Sequence, residues 1–343
     1  MALWNATLER AGPGLLLQDI LAGDDPQITA AVTVIAALDA DILILTGFDR
    51  DARGQALAAL AERLWQSGHP YPHRHAPRTN AGIPTGFDAD ADGRPVEAAD
   101  AQGWGRFPGS GSLAVLSRFP LGQASSHADF LWRDLPGTLM PPDTDSGLGA
   151  IQRLSSHTHT ALPVRLGGQT LTLLLWHATP PAFDGPEDRN GRRNHDEAAF
   201  WLHLLNGTLP FPPPAPPFVL MGQANLDPLD GDGRPQALRS LLTHPALQDP
   251  APRGPHSRTE PGHSGDPALD TALYDRLGGL RLSYILPSTD LTVTASGILW
   301  PPPDDPLAAT LAAASHHRPV WVDLHLPATA ATPAPLDPNA PSR

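Results

Sequence analysis

Several short runs of this chain carry residue types that could hold an ion. Asp88-Ala89-Asp90-Ala91-Asp92-Gly93 has the D-x-D-x-D-G opening of a calcium loop. Position twelve of such a loop needs a bidentate Glu and falls on Ala99. The run therefore reads either as a Ca²⁺ site completed by Glu97 or Asp100, or as an acidic turn. Asp227, Asp230 and Asp232, set around Gly231 and Gly233, form a second oxygen-rich loop with the same two readings. Arg189, Arg192 and Arg193 precede a predicted helix start. Arg189 and Arg193 could attract an anion there, or pair with Asp184, Glu187, Asp188 and Asp196. His73 and His75 flank Arg74 as a metal pair or as a solvated loop. The chain has no G-x-S-x-G elbow, P-loop or G-x-G-x-x-G run, which leaves a serine hydrolase, a P-loop NTPase and a dinucleotide enzyme without support.

The elements that must position these groups follow from periodicity. Asp25 to Leu38 has apolar residues at helical spacing after an acidic start. Ala52 to Ser67 repeats that spacing, and Asn194 to Leu205 reads as a helix with Asn194 as its N-cap. Asp41 to Leu45, Ser112 to Ser117, Leu171 to Trp176, Phe218 to Met221, Leu282 to Leu286 and Val320 to Leu324 are apolar, β-rich runs. Helices and strands mix without strict alternation, which predicts mixed sheets in an α/β sandwich. Pro210 to Pro217 is read as a stiff surface loop, residues 1–326 as one domain, and the Pro/Ala-rich 327–343 as a disordered tail.

Composition narrows the function. A net charge of −13 counts against a nucleic-acid partner, which calls for a basic surface. With no cysteine, thiolate metal sites and disulfides are excluded. No apolar stretch approaches the ~20 residues of a membrane span. The N-terminus lacks signal-peptide features, so the expectation is a soluble chain, either cytoplasmic or exported with its leader outside this sequence.

Four segments carry a resemblance. They are Leu45-Thr46-Gly47-Phe48-Asp49, Gly222-Gln223-Ala224-Asn225, Arg281-Leu282-Ser283-Tyr284 and Ser315-His316-His317-Arg318. They resemble the L-N-E-F-D, G-D-x-N, R-x-D-Y and S-D-H-R corners of the endonuclease/exonuclease/phosphatase family, the superfamily of deoxyribonuclease I and exonuclease III. Trp4-Asn5-Ala6-Thr7-Leu8 is similar to that family's first strand. Thr79 to Asp88, Gly103 to Gly109, Phe130 to Pro136 and Thr179 to Glu197 are similar to a bacterial branch of it. The resemblance implies a four-layer α/β/β/α sandwich of two mixed sheets flanked by helices. It also implies Mg²⁺-dependent phosphoester hydrolysis, with Asn5 and His177 facing phosphate, Asn225 beside them and His317 as the general acid/base.

Four acids that the resemblance implies are replaced. Gly47 stands where the resemblance implies the metal-binding Glu, and Gln223, Ser283 and His316 stand where it implies Asp. Mg²⁺ prefers carboxylate and water oxygens, so it is disfavoured at these positions. Gln223 cannot serve as a base near neutral pH, and His316 cannot supply the charge that steadies a catalytic histidine. Asn5, His177, Asn225 and His317 remain, and could still bind a small phosphate-like anion, with imidazolium supplying charge below about pH 6.5. Two readings follow: a binding or scaffold protein without the hydrolysis, or a surviving phosphoric ester hydrolase with a rearranged site around His177, Asn225 and His317. A changed metal is a variant of the second, with His177, His316 and His317 holding Zn²⁺.

Overall fold

The computed structural model describes residues 1–326 apart from 91, 95, 143–146 and 259; the segment read as a tail, 327–343, lies outside the described residues. In chain order the elements are β1 (Ala2–Leu8), α1 (Leu15–Ala22), α2 (Pro26–Leu38), β2 (Ile42–Phe48), α3 (Gln55–Gln66), β3 (His73–His75), β4 (Ser112–Ser117), β5 (Ser125–Ser126), β6 (His159–Leu166) and β7 (Gln169–His177). They continue with α4 (Arg189–Leu205), β8 (Phe218–Gln223), α5 (Gln236–Leu242), β9 (Ala272–Tyr274), β10 (Gly278–Leu280), β11 (Ser283–Pro287), β12 (Thr292–Ile298), α6 (Pro306–Ala314) and β13 (Val320–His325).

Local chemistry sets many of these limits. Asp25 caps α2 by accepting from Ile28 N at 2.8 Å, with Pro26 in the first turn where its missing N–H costs nothing. Asp305 and Pro306 repeat that device on α6. His73 and His75, read as lying in a loop, instead form a short edge strand on β4.

Two mixed sheets make the body. One has the order β12-β13-β1-β2-β4-β3 and the other β11-β8-β7-β6-β5; β9 and β10 form a separate pair. Side chains of a strand alternate between faces, and the alternation assigns each residue to a layer. Leu3, Ile42, Ile44, Leu113 and Val115 of the first sheet meet Leu171, Leu173, Leu175, Val219, Met221 and Ile285 of the second in one buried cluster. Leu43, Leu45, Ala114 and Leu116 face the opposite way, under α1, α2, α3 and α6. Leu174, Trp176, Phe218 and Leu220 lie under α4 and α5. The result is the α/β/β/α sandwich expected from the sequence. Burying each such Leu, Ile or Val is worth about 1.5–3 kcal/mol, so the inter-sheet layer holds the two sheets together.

One boundary differs from the expectation. α4 begins at Arg189, not at Asn194. Asn194 lies inside the helix and is buried, its Nδ2 donating at 2.7 Å to both Thr179 O and Ala224 O. Asp196 accepts from Trp132 Nε1 and Leu139 N at 2.7 Å each, and Glu197 from Ser156 N at 2.6 Å and Thr179 N at 2.7 Å. Polar residues that look like a helix start are here an inward-facing row that satisfies loop backbone.

Candidate active-site cleft

Alternation also explains why distant polar residues meet. His177 is in phase with Leu173 and Leu175, Gln223 with Val219 and Met221, and Ser283 with Ile285. The register sets His177 beside Gln223 and Gln223 beside Ser283 on three adjacent strands. In the other sheet Asn5 is in phase with Leu3 and pairs with Thr46. The apolar inter-sheet layer therefore ends in a polar cap at one edge of the sandwich.

His317 enters this cap from the segment before β13. Its Nε2 lies 3.4 Å from Asn5 Nδ2 and 3.5 Å from Tyr274 Oη. Ser315 Oγ accepts from His317 N at 3.0 Å and donates to Asn5 O at 2.8 Å, while Trp4 Nε1 donates to His317 O at 3.1 Å. His177 stacks on His157, with ring centroids 3.9 Å apart at 15°. His316 is different: it is exposed, its ring lies against Tyr274, and it gives His317 no side-chain hydrogen bond. The His316 ring also lies against that of His317, centroids 4.4 Å apart at 40°, but among the described residues His177, His316 and His317 do not bring three donor atoms within 4.8 Å of one another.

The substituted positions bond to one another. Ser283 Oγ donates to Gln223 Oε1 at 2.7 Å, Gln223 Nε2 to Asn225 Oδ1 at 2.9 Å, and Asn225 Nδ2 to Ala178 O at 2.7 Å. This neutral relay joins Gln223 and Ser283, the two positions where the sequence resemblance implies acids. Asp49, kept from the Leu45–Asp49 segment, accepts from Gly111 N at 2.9 Å and Arg10 N at 2.7 Å. Both Asp49 oxygens thus accept from backbone, and Gly47, Gln223, Ser283 and His316 bring no carboxylate to this place.

Gly47 holds the larger finding. It has φ +63°, and a Cβ built on it would come within 2.4 Å of Asn5 Oδ1 and 3.2 Å of Glu9 Oε1. A Cβ on Gly111 would come within 2.9 Å of the same Glu9 oxygen. Two glycines thus leave a notch, and the Glu9 carboxylate lies in it. Solvent reaches Glu9, yet surrounding atoms hem it in. That burial raises its pKa, Asp49 adds to the rise and Arg106 opposes it. Sequence reading passed over Glu9 and His157. The available signal for Glu9 was an acid directly after the Asn5–Leu8 strand; for His157 it was a polar run, Ser155 to His159, ahead of β6.

Burial keeps the imidazoles neutral. His157 is lowered to about 4 and His317 to about 3, chiefly by desolvation; His177 lies well below its usual value for the same reason, with His157 and His317 adding to it. The charge expected from imidazolium below about pH 6.5 is therefore withheld until much lower pH. His177 Nδ1, His317 Nδ1 and Thr46 Oγ1 are buried without a hydrogen-bond partner.

A pH dependence follows. His157, His159, His177 and His317 have folded pKa values below that of the unfolded chain, so their contribution is present above about pH 6.5 and is lost on acidification. Between pH 7 and 5 His157, His159 and His317 each cost on the order of 2 kcal/mol, and His177 adds a loss of the same sign. Glu197 and Asp270, both raised to about 7 by burial, have the opposite sign and gain on acidification. They offset part of the loss. Urea midpoints should fall from pH 7 to pH 5; an unchanged midpoint would contradict the neutral cluster.

The remaining candidates lie elsewhere. Arg193 is buried and donates to Leu154 O, Arg153 O and Gln102 O, and Arg189 to Ala89 O and Gln152 Oε1. The expected anion pair is thus turned onto loop carbonyls, because an interior guanidinium needs acceptors. In the calcium-like loop, Asp88 and Asp90 come together with Asp100, all three donors within 4.8 Å of one another. Asp92 instead accepts from Arg94 N at 2.9 Å.

Residues 18–327 match the model of the endonuclease/exonuclease/phosphatase family. The chain belongs to that family. Among solved structures, an endonuclease/exonuclease/phosphatase from Beutenbergia cavernae is 19% identical, covering 95% of this chain and 70% of that one, with a TM-score of 0.54. A beta toxin from Staphylococcus aureus is 12% identical, covering 94% and 98%, with a TM-score of 0.52. At these identities the likeness concerns the fold alone. No curated protein matches the chain. Among the described residues, no helix is long and apolar enough to cross a membrane.

Proposed function

We propose that this chain is a phosphate-ester-binding member of its family that has lost the family's Mg²⁺-dependent hydrolysis. The observation that carries the reading is the Ser283–Gln223–Asn225 relay. A primary amide whose oxygen already accepts from a serine cannot take a proton from water near neutral pH. His317, held neutral by burial and without an acidic partner, is a poor proton donor in the same range. The free nitrogens of His177 and His317 and the Thr46 hydroxyl are the groups that would meet ligand oxygens. Chromogenic phosphate mono- and diesters, assayed with Mg²⁺, Mn²⁺, Ca²⁺ and Zn²⁺ across pH, should show no turnover. Inorganic phosphate should raise the unfolding temperature of the parental chain and not of His177→Ala or His317→Ala. Turnover that disappears in both variants would overturn the reading.

Glu9 favours a second reading, a metal-assisted phosphoesterase with its carboxylate moved. Mg²⁺ is often held by one or two carboxylates plus water and substrate phosphate. Glu9 and Asn5 would be its protein ligands, and the ion would polarise the phosphate. Binding of Mn²⁺ by electron paramagnetic resonance, lost in Glu9→Gln, together with turnover lost in the same variant, would establish it. No Mn²⁺ binding by the parental chain would remove it.

A further inference from the structure

Beside the cleft, outside everything assigned above, four ionisable side chains meet in a buried pocket. His256 Nε2 is 3.7 Å from Asp270 Oδ2, His263 Nε2 is 3.7 Å from the same oxygen, and His263 Nε2 is 3.3 Å from Asp230 Oδ2. The four side chains are 9%, 2%, 3% and 7% exposed for His256, Asp270, His263 and Asp230. None of these contacts is a hydrogen bond. His256 Nε2, both ring nitrogens of His263 and Asp270 Oδ2 are buried without a partner. Leaving a buried polar atom unpaired costs about 1–3 kcal/mol, so three side chains with such atoms in one pocket, His263 through one of its two nitrogens, point to a ligand they share.

The surroundings are built for that cluster. His256 stacks flat on Trp300, centroids 4.4 Å apart at 10°, which fixes the plane of its ring. Gly279 has no side chain where a Cβ would come within 1.9 Å of Asp270 Oδ2, so the glycine makes room for the carboxylate. Asp230 is held by Ser264 N at 2.5 Å and Gly265 N at 2.8 Å, which binds its loop to the segment carrying His263.

Two imidazoles and two carboxylates form a donor set that suits zinc rather than Mg²⁺ or Ca²⁺, which favour oxygen alone. Two donors about 2.0–2.1 Å from a tetrahedral zinc stand roughly 3.4 Å apart. The contacts here are 3.3–3.7 Å. The donors stand in an open chain, His256–Asp270–His263–Asp230, in which no three bring their atoms within 4.8 Å of one another, so a cation would have to draw them together. Two ionised carboxylates would balance the charge of the ion.

We propose that His256, His263, Asp230 and Asp270 bind one zinc-type divalent cation that clamps the rim of the cleft. Asp270 leads into Thr271, whose Oγ1 accepts from Leu282 N at 2.8 Å and Ser283 N at 3.2 Å, and whose O accepts from Arg318 N at 2.7 Å. Ala272 next to it bridges to His317. An ion here would therefore tie the loop after Asn225 and the 253–266 segment to the backbone that supports Ser283 and His317. The site stands whether or not the cleft hydrolyses anything.

The full chain, stripped with a chelator, is titrated with Zn²⁺ by calorimetry and with Co²⁺ by visible absorption. One ion per chain and a tetrahedral cobalt spectrum are expected. Affinity should fall at least tenfold in His256→Ala and in His263→Ala, and stay unchanged in Asp88→Ala, which alters the separate acidic loop. Circular dichroism checks folding, and His263→Asn and Asp270→Asn replace any variant that does not fold. Absence of binding by the folded parental chain, parental affinity in both histidine variants, or loss of binding in Asp88→Ala would overturn the proposal.

Discussion

Replacing Glu197 by alanine is expected to remove about 3–5 kcal/mol of folding stability, because three buried donors would lose their acceptor at about 1–3 kcal/mol each. Glu197 is fully buried. One oxygen accepts from Ser156 N at 2.6 Å and Ser156 Oγ at 2.7 Å, the other from Thr179 N at 2.7 Å. Arg193, also buried, faces it as the main opposing charge. Alanine would leave those three donors unpaired, while Arg193 keeps its hydrogen bonds to Leu154 O, Gln102 O and Arg153 O. The loss also reaches the cleft, because Ser156 precedes His157, whose ring lies on His177. Ser156→Ala, which removes one donor and leaves the charge pair, should cost about 1 kcal/mol. Urea denaturation of the two variants separates the cases; a Glu197→Ala midpoint equal to the parental one would show that the network is not stabilising.

Restoring the family's glutamate at position 47 is expected to harm the protein rather than revive it. Gly47 has φ +63°, a left-handed conformation that costs a side-chain-bearing residue roughly 1–2 kcal/mol. The new Cβ would collide with Asn5 Oδ1, and its carboxylate would approach that of Glu9, so two like charges would share one notch. Gly47→Glu should therefore lose about 2–4 kcal/mol and gain no turnover. With Glu9→Gln in the same chain, part of the loss should return, as a coupling of about 1 kcal/mol or more. Additive losses in the double variant would mean that Glu9 does not occupy the space. Restoring the machinery consequently requires exchanging Glu9 as well as changing Gly47, Gln223, Ser283 and His316.

The sequence by itself determined the repeating parts. Leu171, Leu173 and Leu175 alternate with residues of the opposite face, and that pattern already marks a strand buried on both sides. Asp25 with Pro26 marks a helix start that the structure keeps. Family motifs, being short strings at strand ends, gave the sandwich and its layers, and named residues that the strand register brings side by side. All of these are local signals, read over a few residues at a period of 2 or 3.6.

Tertiary structure alone decided who meets whom. Asn5 and His317 are 312 residues apart in sequence and 3.4 Å apart in space, a contact fixed by β13 pairing with β1. Glu9 fills the notch at Gly47 only because β1 and β2 lie side by side with an irregular register beyond Asn5. Asn194, Asp196 and Glu197 looked like helix-start residues because hydrogen-bonding side chains favour caps, and burial gave them loop backbone to satisfy instead. The histidine pKa values likewise depend on how much water packing removes, which no neighbour in sequence reports. The four replaced acids were legible in the sequence, and the carboxylate that stands beside the first of them was not, because a one-dimensional pattern cannot show which side chain fills a vacated volume.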